Sequence, residues 1–102
     1  MGYQIRQTKK FARWFGGLRD RQARARILVR IRRLSLGGLG DARRLGGGVL
    51  ELRIDYGPGY RIYVTRRGQA EFILLAGGDK RTQAADIAKA RELVRDLQQE
   101  DT

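Results

Sequence analysis

The sequence predicts an α+β fold, in which a short N-terminal strand and a helical hairpin pack on a small, mainly antiparallel sheet that is followed by a C-terminal helix. Three observations support this class. Apolar residues recur at helical spacing in two early segments and one late segment, alternate with polar residues between positions 50 and 64, and are separated by glycine-rich stretches. A chain of 102 residues buries one core, so we expect a single domain over residues 1–102.

The N-terminal part predicts a strand followed by two helices. Residues 3–7 favour a short edge strand, and Thr8 can cap the first helix. Asp20 can cap the second helix. The apolar stripe of the first helix contains Phe11, Trp14, Phe15 and Leu18, and that of the second contains Ala23, Ile27, Ile31 and Leu34. Arginines crowd the rest of the second helix, either as a phosphate-binding face or as an ordinary solvated face.

The segments after the hairpin predict a loop, a buried strand and a final helix. Residues 35–48 contain six glycines and predict a loop, which no Lys-Ser/Thr pair follows, so a P-loop is excluded. The apolar run 72–75 predicts a strand that is buried on both faces and that Gly77-Gly78 ends. Thr82 can cap the last helix, whose stripe contains Ile87, Ala90, Val94 and Leu97, with Asp86 favourable near its N-terminus.

A predicted β-hairpin gathers polar side chains on one face of the sheet. Its turn is Gly57-Pro58-Gly59. Because strand side chains alternate between the two faces, four residues share the face opposite the apolar one: Glu51, Arg53, Arg61 and Tyr63. This set of cations with a carboxylate and a phenol suits a scissile phosphate.

The composition indicates a polyanionic partner. Lysine and arginine number 22 against 11 acidic residues, giving a net charge of +11, and 18 of the 22 are arginines. Residues 1–81 carry 19 of these cations and only 6 acidic groups, so the positive charge belongs to the body of the protein. Arginine presents a planar fork to phosphate oxygens, and the partner can be a nucleic acid or an acidic protein. The competing explanation is a general arginine preference of a heat-stable or GC-rich organism.

The missing residue types limit the chemistry. The chain has no cysteine and no histidine, so it lacks disulfides, thiolate metal sites and the commonest general base. We therefore expect neither a metal nor a cofactor. The sequence contains no long apolar run and no signal-peptide pattern, so we expect a cytoplasmic protein without membrane contact.

Several segments together resemble one known family. They are the helical-hairpin pieces FARW and ARI, then LGGGVLELRI at 45–54, GPGYRIY at 57–63 and LLAGGDK at 74–80. From about Arg6 to Leu97 the chain resembles the RelE/ParE superfamily, specifically the HigB-like addiction module killer proteins related to phage Gp49-like proteins. The resemblance implies a type II toxin with a small sheet packed against two helices. The opposite sheet face would act on mRNA, usually at the ribosome.

The resemblance also implies partners. A cognate antitoxin, typically a helix-turn-helix protein, would neutralise the toxin, and operator DNA would be bound only through that antitoxin. The high positive charge of the chain is compatible with an antitoxin that carries an acidic segment.

The same resemblance, joined to the residue chemistry, suggests a set of site residues. Arg53 and Arg61 occupy the positions of the family's basic active-site residues and would bind the phosphate and its transition state. Lys80 follows the last strand and would transfer protons. Glu51 is a rival base, or else a salt-bridge partner of Arg53 or Arg61. Tyr63 would stack on or position a base. We further predict RNA contacts for Arg43, Arg44, Arg81 and Tyr60, although alternation also allows Tyr60 a place in the core.

Two other functions remain open at this point. A ParE-like toxin would inhibit DNA gyrase by protein contacts without cutting RNA, and the same fold would serve it. A basic module that only binds nucleic acid is the third possibility. The cationic and aromatic residues gathered on one sheet face favour the endoribonuclease over gyrase inhibition, because a contact with gyrase would not need phosphate-binding groups there. They also disfavour a simple binder, which spreads its charge along the backbone it follows.

Overall fold

The computed structural model describes residues 2–100, and this part of the chain forms five strands and three α-helices. The helices are α1 (Lys9–Gly16), α2 (Arg21–Ser35) and α3 (Gln83–Glu100), with a 3₁₀ turn at Lys80–Thr82 directly before α3. The strands are β1 (Gln4–Gln7), β2 (Ala42–Gly46), β3 (Val49–Ile54), β4 (Tyr60–Arg67) and β5 (Glu71–Gly78). The predicted α+β class with its N-terminal strand, helical hairpin and C-terminal helix is confirmed.

The strands form one sheet in the order β1-β5-β4-β3-β2. β1 pairs with β5 in parallel, and every other neighbouring pair is antiparallel. The N-terminal strand therefore lies at an edge, and the strand with the apolar run 72–75 lies inside the sheet, both as predicted. The register places Glu51 opposite Tyr63 and Arg53 opposite Arg61.

Helices cover both faces of the sheet. On the first face α1 and α2 bury an apolar cluster, which contains Phe11, Ile27, Leu34, Leu52, Ile54, Ile62, Val64, Phe72 and Leu74. On the second face α3 packs over a smaller cluster, which contains Val49, Tyr63, Ile73, Leu75, Ala76, Ala90 and Val94. The second face was expected to be open to RNA. That expectation is wrong for its middle, because the stripe of α3 needs an apolar surface to bury.

The predicted helix caps are partly confirmed. Thr8 accepts a hydrogen bond from the Phe11 amide at 3.0 Å and Asp20 accepts from the Gln22 amide at 2.9 Å, each at the first turn of its helix. Asp79 caps the 3₁₀ turn that precedes α3. Asp79 accepts from the Arg81 amide at 2.8 Å, while Thr82 accepts from the Asp79 amide at 3.3 Å as the second half of a capping box.

Two glycine-rich segments differ from the prediction. The segment 35–48 contains β2, which pairs antiparallel with β3, so it is not a loop throughout. β5 includes Gly77 and Gly78 as its last two residues, whereas the sequence predicted that the strand stops before them. Both are required by close approach, since a Cβ would lie 2.1 Å from Trp14 Cε3 at Gly77 and 1.9 Å from Asp86 Oδ2 at Gly78. Because these two residues have no side chain, Trp14 of α1 and Asp86 of α3 can pack directly against the strand.

Within residues 2–100, no helix combines the length and the apolar character that crossing a membrane requires.

Candidate active site

A cleft of about 550 Å³ opens at the end of the sheet where the turn 57–59 joins β3 to β4. It lies beyond the part of the second face that α3 covers. Its lining includes the cations Arg53, Arg61 and Lys80 and the carboxylates Asp41 and Asp55. The cleft therefore brings together three of the five residues predicted to be catalytic.

Arg53 and Arg61 are direct cross-strand partners on β3 and β4. The Arg61 side chain is only 11% exposed. Its Nη1 donates to the Gly59 carbonyl at 2.7 Å, and its Nε lies 3.6 Å from Glu51 Oε2. Two neighbours thus fix the guanidinium at the floor of the cleft, where a bound anion would meet a cation that needs little reorganisation.

Lys80 lines the cleft from the 3₁₀ turn that follows β5. A Cβ built on Gly59 would lie 3.2 Å from Arg61 Nη1 and 3.4 Å from Lys80 Cγ, so both cationic side chains pass close to this glycine. Gly59 also has a φ of +80°, which favours glycine. A side chain at position 59 would strain the backbone and would also require Arg61 and Lys80 to shift by a few tenths of an ångström.

Arg53 lies nearer the surface and is held by Asp41. Its Nη2 and Nε donate to Asp41 Oδ1 at 2.7 Å and 3.2 Å. Arg30 of α2 supports this pair from below, since it donates to the carbonyls of Arg53, Leu39 and Asp41. Burial is the main reason that the pKa of Arg30 is lowered. The outer cation of the cleft is therefore anchored through backbone carbonyls to the helical layer.

Glu51 is fully buried and does not line the cleft. Its Oε2 faces Arg61 Nε and accepts a hydrogen bond from Gln83 Nε2 at 2.8 Å, and its Oε1 lies 3.6 Å from Arg43 Nη2. The sequence suggested a salt bridge from Glu51 to Arg53 or Arg61, and the pairing with Arg61 is the one observed. A carboxylate in this position holds Arg61 in place and does not itself reach a hydroxyl in the cleft.

Of the two tyrosines assigned to the site, Tyr63 departs from its predicted role and Tyr60 does not. Tyr63 is fully buried beneath α3, so it cannot stack on a base, and its hydroxyl makes no hydrogen bond within residues 2–100. Burial and the negative charge of Glu51 raise the pKa of Tyr63, which keeps the phenol protonated. Tyr60 packs edge-on against Trp14 at 6.3 Å between ring centroids, yet it also lines the cleft. Both roles considered for Tyr60 are thus compatible with its position.

The three arginines predicted to bind RNA lie at different places. Arg43 and Arg44 are on β2 and not in a loop, and strand alternation turns them to opposite faces. Arg43 points toward Glu51, whereas Arg44 lines a separate depression with Arg66. Arg81 is 84% exposed beside Lys80 and pairs with Asp79 at 3.2 Å, which raises the pKa of Arg81 and lowers that of Asp79. None of these three arginines is among the residues that line the cleft.

The arginines of α2 divide between structural and solvated positions. Arg24 donates to the Phe15 carbonyl at 2.8 Å at the end of α1, and Arg26 lies 4.7 Å from the centre of the Tyr56 ring. With Arg30, three of the arginines on this helix therefore support neighbouring segments. The face is not a uniform phosphate-binding surface.

Three residues around the cleft were not singled out from the sequence. They are Asp41, Arg30 and Gln83. Asp41 lies in a glycine-rich segment and Arg30 in a run of arginines. No sequence pattern there indicates which residues either side chain contacts. Gln83 is the first residue of α3, and a polar residue at that position gives no sign of a partner 32 residues earlier. Their roles come from tertiary contacts only.

The arrangement suits binding and activation of a phosphodiester. Arg61 and Arg53 can contact phosphate oxygens with planar guanidinium groups, and Lys80 can donate a proton at the rim. Among residues 2–100, no group of three or more histidine, cysteine, aspartate or glutamate side chains is placed to hold a metal ion. The chemistry that the cleft itself offers is electrostatic stabilisation with proton transfer from a side chain.

The fold and the cationic cleft define a protein of the RelE/ParE type. The chain matches the family of phage-derived Gp49-like proteins (DUF891) over residues 13–95 and belongs to that family, which is RelE/ParE-type and toxin-like. It is also 43% identical over 97 residues to an uncharacterized protein of Haemophilus influenzae, a match that covers 95% of this chain and 98% of that protein. The superfamily indicated by the sequence motifs is thus confirmed.

Proposed function

We propose that this protein is the toxin of a type II toxin-antitoxin system, of the HigB-like kind, and that it cleaves mRNA on the ribosome without a metal ion. Translation would stop as a result. One observation carries the proposal: Arg53, Arg61 and Lys80 line a single cleft although they come from three different elements. Three cations gathered around one space match a phosphate that gains negative charge during reaction.

The reaction would be an internal transfer within the RNA. The 2′-oxygen attacks the adjacent phosphorus and loses its proton, while the bond from phosphorus to the 5′-oxygen breaks and that oxygen gains a proton. Arg61 at the floor of the cleft and Arg53 at its rim would stabilise the charge on the phosphorus oxygens. Lys80 would transfer protons, since guanidinium groups stay protonated.

The buried residues would serve the reaction indirectly. Glu51 fixes Arg61 through the contact between Oε2 and Nε, so we assign it a positioning role in place of the base role suggested by the sequence. Tyr63 lies opposite Glu51 in the register and supports the same cluster. Tyr60 lines the cleft and would contact the RNA there. Arg81, next to the cleft residue Lys80, and Arg43, which pairs with Glu51, would bind neighbouring phosphates, whereas Arg44 lines a separate depression and would contact only a longer stretch of RNA.

The charge of the chain supports an acidic antitoxin. A net charge of +11 attracts a polyanion at long range, and an acidic protein segment competes for the same groups as RNA. We therefore propose a cognate helix-turn-helix antitoxin that neutralises the toxin and is its only link to operator DNA, with both proteins acting in the cytoplasm.

The decisive experiment incubates purified protein with mRNA, with and without programmed ribosomes, and maps new 5′-hydroxyl ends by primer extension. We expect cleavage only with ribosomes. Arg61→Ala should lower the cleavage rate at least about 100-fold, because removal of one stabilising charge costs about that much. The matched control is Arg95→Ala on exposed α3, which removes the same charge away from the cleft and should cleave like the wild type.

Three outcomes would contradict the proposal. Cleavage by well-folded Arg61→Ala at the wild-type rate would remove the central residue of the scheme. Growth arrest without any cleavage would point to inhibition of DNA gyrase, which a supercoiling assay then tests. RNA binding without arrest or cleavage, weakening steeply with salt for every sequence, would indicate a simple binding module.

A further inference from the structure

A buried polar cluster lies between the cleft and α3, and the proposed reaction does not use it directly. Glu51 is its centre, a carboxylate with 0% exposure. Arg61 and Arg43 approach its two oxygens at 3.6 Å, which is an ion-pair distance but too long for a hydrogen bond. Glu51 Oε1, Arg61 Nε and Tyr63 Oη accordingly make no hydrogen bond within residues 2–100.

Gln83 supplies the missing geometric constraint. Its Nε2 donates to Glu51 Oε2 at 2.8 Å, the only hydrogen bond to the Glu51 side chain in the described part of the chain. The accepting oxygen is the one that faces Arg61 Nε. Gln83 therefore fixes the rotamer of Glu51 and selects the oxygen that is presented to Arg61.

The cluster by itself contributes little to the free energy of unfolding. Buried ion pairs gain little over apolar residues of similar size, because desolvation offsets their attraction. α3 is already attached to the sheet by Ala90 and Val94, which are buried in the second cluster. Groups that remain without hydrogen bonds add a further penalty. A cluster with these properties is better explained by the orientation it imposes on Arg61.

We infer that Gln83 is a positioning residue, which acts through Glu51 to hold the Arg61 guanidinium in the orientation that binds the scissile phosphate. The effect on RNA cleavage rests on the proposed function, whereas the effect on Arg61 itself does not. The inference couples the first turn of α3 to the floor of the cleft, through one hydrogen bond and one ion pair.

The first test replaces Gln83 by methionine, which keeps the unbranched shape and the helix preference but removes the donor. The readout is the rate at which the Arg61 Nε proton exchanges with water, measured by NMR and assigned by its loss in Arg61→Lys. We expect exchange at least about tenfold faster in Gln83→Met. The matched control is Gln98→Met, the same change on the exposed far end of α3, which should leave the exchange rate unchanged.

The second test uses Gln83→Glu, which keeps the shape but places a carboxyl group against the Glu51 carboxylate. The charged and titratable groups around this position are Arg43, Glu51, Arg61, Tyr63 and Asp86. Near pH 7.5 the variant should behave like Gln83→Met. Toward about pH 5 one of the paired carboxyl groups binds a proton and can donate again, so the exchange rate at Arg61, divided by the wild-type rate at the same pH, should return to about one. Gln83→Met should show no such recovery, and a merely structural defect would not produce it.

Cleavage kinetics on programmed ribosomes complete the test. We expect Gln83→Met to lower kcat about tenfold with little change in KM, since charge and RNA contacts stay in place. Wild-type exchange at Arg61 in both Gln83 variants would overturn the inference even if the wild-type protein cleaves RNA. Faster exchange in Gln83→Met with recovery in Gln83→Glu would support it even if no RNA were cleaved, and in that case the proposed function alone would fail.

Discussion

The two faces of the sheet differ in what they bury. The first face, under α1 and α2, buries a cluster of nine apolar residues. The second face, under α3, buries Tyr63 beside apolar residues and, next to them, Glu51 and most of Arg61. Both faces are covered by helices, yet only the second continues into the cationic cleft.

This difference separates stability from function. Apolar burial on the first face contributes about 25 cal/mol for each Å² removed from water, with no penalty for desolvated charges. On the second face the buried charges gain little net stability, and two of them lack hydrogen-bond partners for an atom each. We conclude that the first face contributes most of the free energy of unfolding. The second face contributes less, because its buried charged groups orient Arg61.

The largest effect is expected from Phe11→Ala on the first face. Phe11 is 1% exposed and lies between Trp14 and Phe15, at 5.7 Å and 6.1 Å between ring centroids. Loss of the ring leaves a cavity, so the free energy of unfolding should fall by about 3–5 kcal/mol. Urea unfolding followed by the fluorescence of Trp14, the single tryptophan, measures this change.

The control for this prediction is Leu28→Ala on the same helical layer. Leu28 is 53% exposed, so its truncation should change the free energy of unfolding by less than about 1 kcal/mol. A loss below about 1 kcal/mol for Phe11→Ala as well would mean that the first face does not dominate stability.

A smaller effect is expected where the first face supports the cleft. Arg30 donates to the carbonyls of Leu39 and Asp41 at 2.8 Å and 3.1 Å and also to that of Arg53. Arg30→Met keeps the stem but removes these donors, which should lower the free energy of unfolding by about 1.5–3 kcal/mol. The rate of the proposed RNA cleavage should also fall, because the Arg53 carbonyl loses its hydrogen bond from Arg30.

Exposed Arg32 on the same helix provides the comparison for Arg30. Arg32→Met removes the same charge without removing a carbonyl partner and should leave both stability and cleavage nearly unchanged. Equal effects of the two substitutions in urea unfolding and primer extension would show that charge matters here and the contacts of Arg30 do not.

The sequence predicted the first face better than the second. Spacing and alternation identify Phe11, Ile27 and Leu52 as apolar-face residues, because burial of a helix stripe or a strand face repeats with a fixed period. The adjacency of Arg53 and Arg61 was also predictable, since the turn 57–59 sets the register of the hairpin. Local periodicity is sufficient for both.

The parts that could not be predicted depend on contacts between distant segments. Glu51 is polar and alternates with apolar residues, so its pattern indicates exposure, but α3 folds over it. The glycines of 35–48 hid β2, because a strand at a sheet edge needs only its partner β3 and no apolar pattern of its own. Asp41, Arg30 and Gln83 act through hydrogen bonds to distant segments, and such contacts leave no periodic signal in the sequence.

The smallest effect is expected from Tyr63→Phe on the second face. The ring stays buried, and the lost hydroxyl makes no hydrogen bond within residues 2–100, so stability at pH 7 should stay within about 1 kcal/mol of wild type. Burial raises the pKa of Tyr63, so above about pH 10 the unfolded chain loses this proton before the folded chain does. The wild type should therefore lose stability as the pH rises through that range, and Tyr63→Phe should lose less. Urea unfolding at pH 7 and near pH 10.5 measures both, with Tyr56→Phe as the comparison, since a hydrogen bond to Asp20 raises the pKa of Tyr56 also. A loss above about 2 kcal/mol at pH 7 would show that the phenol stabilises the second face after all. Equal high-pH slopes in wild type and Tyr63→Phe would show that folding does not raise the pKa of Tyr63.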